Sequence, residues 1–306
     1  MVPTERSTAV PCRPVDRVAL RRHRARLLRA ADPPWLHGEV ARRMAERLPV
    51  IRLQPQVVAD WDASLGASSQ LLRNAYPQAR LLSVEESTQH PAARHAGEAW
   101  WSSPSRWFRS AAPASIRAAD VQPGHAQLVW ANMALHWSPE PQALVQQWQR
   151  ALAVDGFLMF STLGPGSLAL LRELYAEQGW PAPFAPFVDM HDFGDMLVEA
   201  GFADPVMDQE QLTLTFGSAQ ALLAELRSVG GNGHVQRHPG LRTPRWHHRL
   251  VQALQARADA QGRIGLGFEV VYGHAFKAAP RPRVAAETTL PLEDMRALIR
   301  AGRQRG

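Results

Sequence analysis

AQLVWANMALHW, residues 126–137, is an apolar run that turns polar only at its C-terminal end. Leu128, Val129 and Trp130 form the continuous apolar segment typical of a parallel strand buried on both faces. In an open α/β sheet, ligands lie in the crevice beyond the carboxyl ends of the strands. The pattern therefore predicts that Asn132, His136 and Trp137 face a ligand. A helical segment follows at 141–152, then a second apolar run, GFLMFS, at 156–161. Together these make a β-α-β unit.

Upstream, PQVVAD at 55–60 reads as the first core strand, WDASLGASS as a loop, and 68–75 as a helix stopped by Pro77. ARLLSV at 79–84 is the second strand, closed by Glu85 and Glu86. An acid in that position can accept hydrogen bonds from ribose hydroxyls, which makes Glu85 a candidate cofactor residue. A third strand is expected at 115–120. Its last residue, Asp120, falls where such folds often place an acid near an adenine amino group. Residues 90–114 predict a short helix and loop. Residues 1–14, with three prolines, read as disordered. Helices are expected at 15–29 and 35–48, the second with Leu36, Val40, Met44 and Leu48 at four-residue spacing.

Downstream, LGPG at 163–166 is a turn opening a helix at 167–178. A helix at 190–200 ends at Gly201, and Asp192 is expected at its start. QLTLTF at 211–216 alternates as a sheet-edge strand does, and a helix is expected at 219–229. A basic loop at 232–248, a helix at 250–260 and a long strand at 264–276 follow. That strand's alternation favours an antiparallel hairpin with 211–216. The charged tail carries a candidate helix at 292–301. His191 and Asp192 are adjacent and do not face each other on a helix. His234, His238, His247 and His248 lack the cysteine or second spaced pair of a zinc site, and His274 reads as structural. No metal site is expected.

The chain has 306 residues, 45% of them apolar, enough for a sizeable core. No apolar run is long enough to span a bilayer, and the arginine-rich N-terminus lacks the apolar region of a secretory signal. The single cysteine, Cys12, excludes an internal disulfide and fits a reducing cytoplasm. The net charge is +6, with Arg13, Arg17, Arg21, Arg22, Arg24, Arg26 and Arg29 in one segment. Such a segment attracts acidic partners or simply makes a solvated helix face.

Alternating strands and helices with a terminal antiparallel pair outline a class I S-adenosylmethionine-dependent methyltransferase. WANMALHW at 130–137, FSTLGPGSL at 160–168, DMHDFGDMLVEAGFADPVMD at 189–208, LTLTF at 212–216 and PWLHGEVARRMAERLPVIRLQP at 34–55 narrow this. Together they resemble the biotin-pathway malonyl-acyl-carrier-protein O-methyltransferase family over residues 15–278. The resemblance implies a Rossmann-like, seven-stranded, mostly parallel α/β sheet with helices on both faces. It implies S-adenosylmethionine as cofactor and acyl carrier protein bearing a malonyl group as partner, with no membrane or nucleic acid. The expected division is a basic helical arm or lid at 1–48, a methyltransferase domain at 49–278 and a tail at 279–306, in a monomer.

Matched to the family's acid-and-three-glycine loop, Asp60 is the acid, and the glycines fall on Asp62, Ser64 and Gly66. Only Gly66 keeps its glycine. Asp62 is expected to repel the cofactor carboxylate that lies near this loop. Asn132 and Ala134 would border the adenosyl and methyl groups, and His136 and Trp137 would line the acceptor pocket. Methylating an ionised carboxylate needs neither base nor metal. It does call for a cation to hold the acceptor, with Arg17, Arg21 and Arg172 as candidates. A protein of the same fold that has lost cofactor binding, and a methyltransferase with another acceptor, are the alternatives.

Overall fold

The structure, a computed structural model, describes residues 13–86 and 115–279. The readings at Cys12, in the first twelve residues, at 90–114 and at 292–301 lie outside the described residues. Seven strands form one sheet: β1 (Val57–Trp61), β2 (Arg80–Glu85), β3 (Ser115–Arg117), β4 (Ala126–Ala131), β5 (Leu152–Leu163), β6 (Phe202–Phe216) and β7 (Ile264–Lys277). Their order across the sheet is β3-β2-β1-β4-β5-β7-β6. The first five run parallel, and β7 is antiparallel to both β5 and β6.

Nine helices are described: α1 (Arg17–Leu28), α2 (Trp35–Ala45), α3 (Ala63–Gly66), α4 (Ser69–Ala75), α5 (Pro141–Ala151), α6 (Ala169–Glu177), α7 (Met190–Glu199), α8 (Ala219–Val229) and α9 (Pro244–Gln255). The opening stretch explains the two layers. Successive side chains of a strand point to opposite faces. Leu128 and Trp130 of β4 join one buried cluster with α2, α4, α6, α8 and α9. Val129 and Ala131 join the other, with Trp148 of α5 and Phe193 and Met196 of α7. Both faces are covered, so the strand can be apolar throughout. Among the described residues no helix is long and apolar enough to cross a membrane.

The chain enters the sheet at β1, moves outward through β2 and β3, then returns to the far side of β1 as β4. The strand order therefore reverses between β1 and β4, and the crevice above their carboxyl ends is the expected ligand position.

Four elements differ from the sequence reading, the first being the short helix α3 inside the segment read as a loop at 61–69. β3 stops at Arg117, and Ala118–Asp120 form a 3-10 turn. α9 begins at Pro244 rather than 250, because Thr243 caps it by accepting from the Trp246 N–H at 3.2 Å and proline suits a first helical turn. Asp189 caps α7 by accepting from the His191 N–H, and Asp192 lies in the first turn as expected. β6 is a full fifteen-residue strand, with an irregularity between Ala203 and Val206 where Asp204 takes a φ of 48°.

Gly273 of β7 lies against the fully buried ring of Phe160 on β5, and an added Cβ would meet that ring and come 2.9 Å from Met207 Sδ. Gly273→Ala is expected to lower stability by about 1–3 kcal/mol through overpacking, read as a drop in thermal midpoint.

Candidate active site at the sheet switch point

Asp60, at the tip of β1, is fully buried and accepts from Ser69 Oγ at 3.2 Å, while its Oδ1 has no hydrogen-bond partner among the described residues. Burial pushes its carboxyl up to about 8; the Ser69 hydrogen bond opposes this, and the charges of Glu85 and Asp62 add to it. The native state therefore holds this proton after the unfolded chain has released it. Stability from this group falls as pH rises from about 4, the unfolded value, towards 8. Asp60→Asn keeps the shape and removes the titration. Its stability relative to the natural protein is expected to rise by up to about 1.4 kcal/mol per pH unit across that window. Urea unfolding at pH 5 and pH 8 checks this, and a constant difference between the two proteins contradicts it.

The chain after β1 turns sharply, with Asp62 at a φ of 64° and its N–H donating to Val84 O at 2.8 Å. Aspartate is one of the few non-glycine residues that tolerates this left-handed conformation, so the turn survives without the family's glycine. Its charge does not stand open either. Arg24 of α1 forms a two-pronged ion pair with both Asp62 carboxylate oxygens. The expected repulsion by Asp62 is thus corrected: a guanidinium neutralises it. Leu20, Arg24 and Leu27 lie at i, i+4 and i+7, one face of α1, and that face is turned inward.

The same guanidinium reaches Glu85 at 3.4 Å and Glu86 at 3.7 Å. Glu85, at the tip of β2, is 5% exposed, and its Oε1 accepts from the Ser64 N–H at 2.8 Å. Burial and the Asp62 charge push the Glu85 carboxyl up, and the Ser64 hydrogen bonds and Arg24 pull it down. Three carboxylates surround one cation, so the strand tips carry an excess of negative charge.

Two cavities of about 320 Å³ each open here. The first lies at the switch point, with Trp61, Ala118, Ala134 and Leu144 as apolar walls, Asp62, Glu86 and Glu140 as acids, and Arg17, Arg21 and Arg24 as cations. The second lies at the β5 tip under α6 and α8, walled by Leu163, Leu168, Tyr175, Phe184 and Phe268. Its described lining holds Arg13, Arg26 and Arg227 and no carboxylate. Trp137 and Leu20 line both, so the cavities adjoin along these side chains. The first cavity fits S-adenosylmethionine: apolar walls suit a flat base, its acids suit the sulfonium and ammonium, and its arginines suit the carboxylate.

Of the sequence-predicted residues, Asp62 and Glu85 converge on Arg24, Ser64 donates its N–H to Glu85, Ala134 lines the first cavity, His136 the second and Trp137 both. Burial holds the His136 imidazole well below its ordinary pKa, so the ring is neutral. His136 Nδ1 and Trp137 Nε1 are buried without hydrogen-bond partners among the described residues. Asn132 does not present its side chain to a ligand; it is spent on His37 O, Gly66 O and Ser161 Oγ. Gly66 supplies that carbonyl and leaves room for a Cβ. Asp120 is exposed, pairs with Arg117 at 2.6 Å and lines neither cavity. Among the cation candidates, Arg172 binds Pro165 O outside both cavities, and Arg17 and Arg21 line the first. Sequence reasoning missed Arg24, Arg26 and Arg227. It also missed Arg13, whose guanidinium donates to Pro186 O, His136 O and Ser138 O and so clamps two loops. Among the described residues no group of His, Cys, Asp and Glu is placed to hold a metal ion.

The LGPG turn owes its two glycines to Glu269 of β7. The Gly166 N–H donates to Glu269 Oε2 at 3.1 Å, and a Cβ at Gly164 or Gly166 would run into that carboxylate.

No protein-family model matches the chain. Two solved structures share the fold: the YcgJ protein of Bacillus subtilis, with a TM-score of 0.51 at 10% identity over 78% of this chain and 99% of its own. The other is a candidate methyltransferase of Bacillus halodurans C-125, with a TM-score of 0.52 at 14% identity over 77% of this chain and 99% of its own. Curated relatives are closer in sequence. The malonyl-[acyl-carrier protein] O-methyltransferase of Laribacter hongkongensis is 37% identical over 254 residues, covering 81% of this chain and 84% of that protein. The protein of the same name from Gallionella capsiferriformans is 35% identical over 271 residues, 87% of this chain and 93% of its own. With identity at this level across most of both chains, the chain belongs to the malonyl-[acyl-carrier protein] O-methyltransferase family.

Proposed function

We propose that this protein methylates the free carboxylate of a malonyl group carried on acyl carrier protein, for biotin synthesis, as a cytoplasmic monomer. The observation that carries this is the pair of adjoining cavities, one lined by carboxylates and arginines together and one by arginines with no carboxylate, meeting along Trp137. When bound, S-adenosylmethionine supplies a methyl group on a positively charged sulfur. A malonyl carboxylate is already ionised at neutral pH, so no side chain need remove a proton. The neutral His136 ring agrees with this, since it is not needed as a base. The protein's part is to hold the acceptor oxygen in line with the methyl and exclude water, and proximity can supply about 7–11 kcal/mol of the barrier. Asp62, Glu85 and Ala134 would hold the cofactor and Trp137 would separate it from the thioester arm. Transfer converts an anion into a neutral ester, which weakens its hold on the arginine-lined cavity and favours release.

Incubation with methyl-labelled S-adenosylmethionine and malonyl-acyl carrier protein tests the reading. A base-labile label on the malonyl protein, absent with acetyl-acyl carrier protein, is expected. Cofactor binding without label transfer would point to another acceptor, and no cofactor binding at millimolar concentration would leave a binding module.

A further inference from the structure

The second cavity has an unusual charge pattern. An apolar chamber whose described lining contains arginine and no acid favours a ligand with an apolar body and an anionic group. Its three arginines are not equivalent. Arg13 is buried and committed to main-chain carbonyls. Arg26 and Arg227 are exposed, and they stand at the chamber's edge.

Arg26 is held by the end of α8. Its Nη2 donates to Arg227 O at 3.0 Å and to Gly230 O, carbonyls that the helix terminus leaves unpaired. Its Nε and Nη1 make no hydrogen bond among the described residues. The Arg227 guanidinium makes neither hydrogen bond nor ion pair there. Burial and the nearby Arg227 charge both lower the Arg26 pKa. Neighbouring arginines behave differently: Arg17 pairs with Glu140, Arg24 with Asp62 and Arg237 with Asp16. Gly230, which accepts from Arg26, rests against the Trp137 ring, and this ties the pair to the junction of the two cavities.

Building on the methyltransferase reading, we propose that Arg26 and Arg227 form an oxyanion receptor at the edge of the acceptor cavity and bind an anionic group of the incoming acceptor. Two guanidinium forks with free donors suit a carboxylate or a phosphodiester. A malonyl acceptor on its carrier protein offers both: the terminal carboxylate and the phosphodiester that tethers its arm. Neither arginine takes part in bond making. Both act through binding, so their loss raises KM and leaves kcat close to its natural value.

The test uses Arg227→Gln, Arg26→Gln and Arg227→Lys with two acceptors, malonyl-acyl carrier protein and malonyl-N-acetylcysteamine, which has the carboxylate and no phosphodiester. Calorimetric affinity for malonyl-acyl carrier protein without cofactor is a second readout, and affinity for S-adenosylhomocysteine is the control for an intact fold. Arg227→Gln is expected to raise both KM and Kd for malonyl-acyl carrier protein by roughly tenfold to a hundredfold, with Arg227→Lys recovering part of the loss. An equal loss with the truncated acceptor assigns the receptor to the carboxylate, and a loss confined to the carrier-bound acceptor assigns it to the phosphodiester. Unchanged KM and Kd in both glutamine variants, with cofactor-product affinity intact, would overturn the proposal. A natural protein that binds malonyl-acyl carrier protein through Arg227 and transfers no methyl group would overturn the methyltransferase reading and leave the receptor standing.

Discussion

Replacing Arg24 with alanine is expected to lower the unfolding free energy by about 3–5 kcal/mol at neutral pH. The side chains of Arg24 and Asp62 are 13% and 9% exposed, and Glu85 lies 3.4 Å from the same guanidinium. Removing the cation leaves Asp62 and Glu85 facing each other in a poorly solvated crevice, and an unpaired buried charge costs more than the intact pair contributes. Arg24→Ala with Asp62→Gly removes both partners and supplies the residue that a left-handed turn accepts most easily. The double variant is therefore expected to recover most of the loss. Urea unfolding of the four proteins closes the cycle. A loss below about 1 kcal/mol for Arg24→Ala would show that the pair holds nothing together. Because the pair is sheltered, its contribution should change little with added salt, unlike that of the exposed Arg17–Glu140 pair.

Asn132→Leu is the second large effect expected. The Asn132 amide nitrogen donates to His37 O at 2.8 Å and Gly66 O at 2.6 Å, and its carbonyl oxygen accepts from Ser161 Oγ at 2.7 Å. One side chain at the β4 tip thus fastens α2, the altered glycine loop and β5. Leucine is similar in size and satisfies none of the three groups. Each buried group left without its partner costs about 1–3 kcal/mol, so a total on the order of 3–5 kcal/mol is expected. Affinity for S-adenosylmethionine should weaken as well, since the loop carrying Asp62 and Ser64 loses its anchor at Gly66. Ser161→Ala, which removes one of the three bonds, sets the comparison. A leucine variant no less stable than Ser161→Ala would refute this account of Asn132.

The sheet was legible because its evidence is local. A run such as AQLVWA followed by a helix and a second run states its pairing through apolar continuity alone. QLTLTF and the final strand state theirs through alternation. α9 was misplaced because its start depends on one threonine cap and a proline inside a loop rich in histidine. The site was legible only in part. Polar residues after a buried strand signal either a ligand or an internal fastening, and Asn132 proved to be the second because its partners are backbone carbonyls that no side-chain pattern displays. Arg24 and Asp62 are thirty-eight positions apart, and Arg26 and Arg227 two hundred and one. No spacing rule joins such pairs. The glycine rule misled at Asp62, because glycine is the usual occupant of that backbone conformation and not the sole one.

β6 ends the sheet, and its outer side meets no further strand among the described residues. A row of open N–H and C=O groups along fifteen residues would invite a neighbouring molecule to add a strand. Pro205 removes one donor from that row, the irregularity at Asp204 bends it, and Asp208 and Glu210 place charge along it. The same segment that lengthens the hairpin therefore guards the molecule against aggregation through its own border.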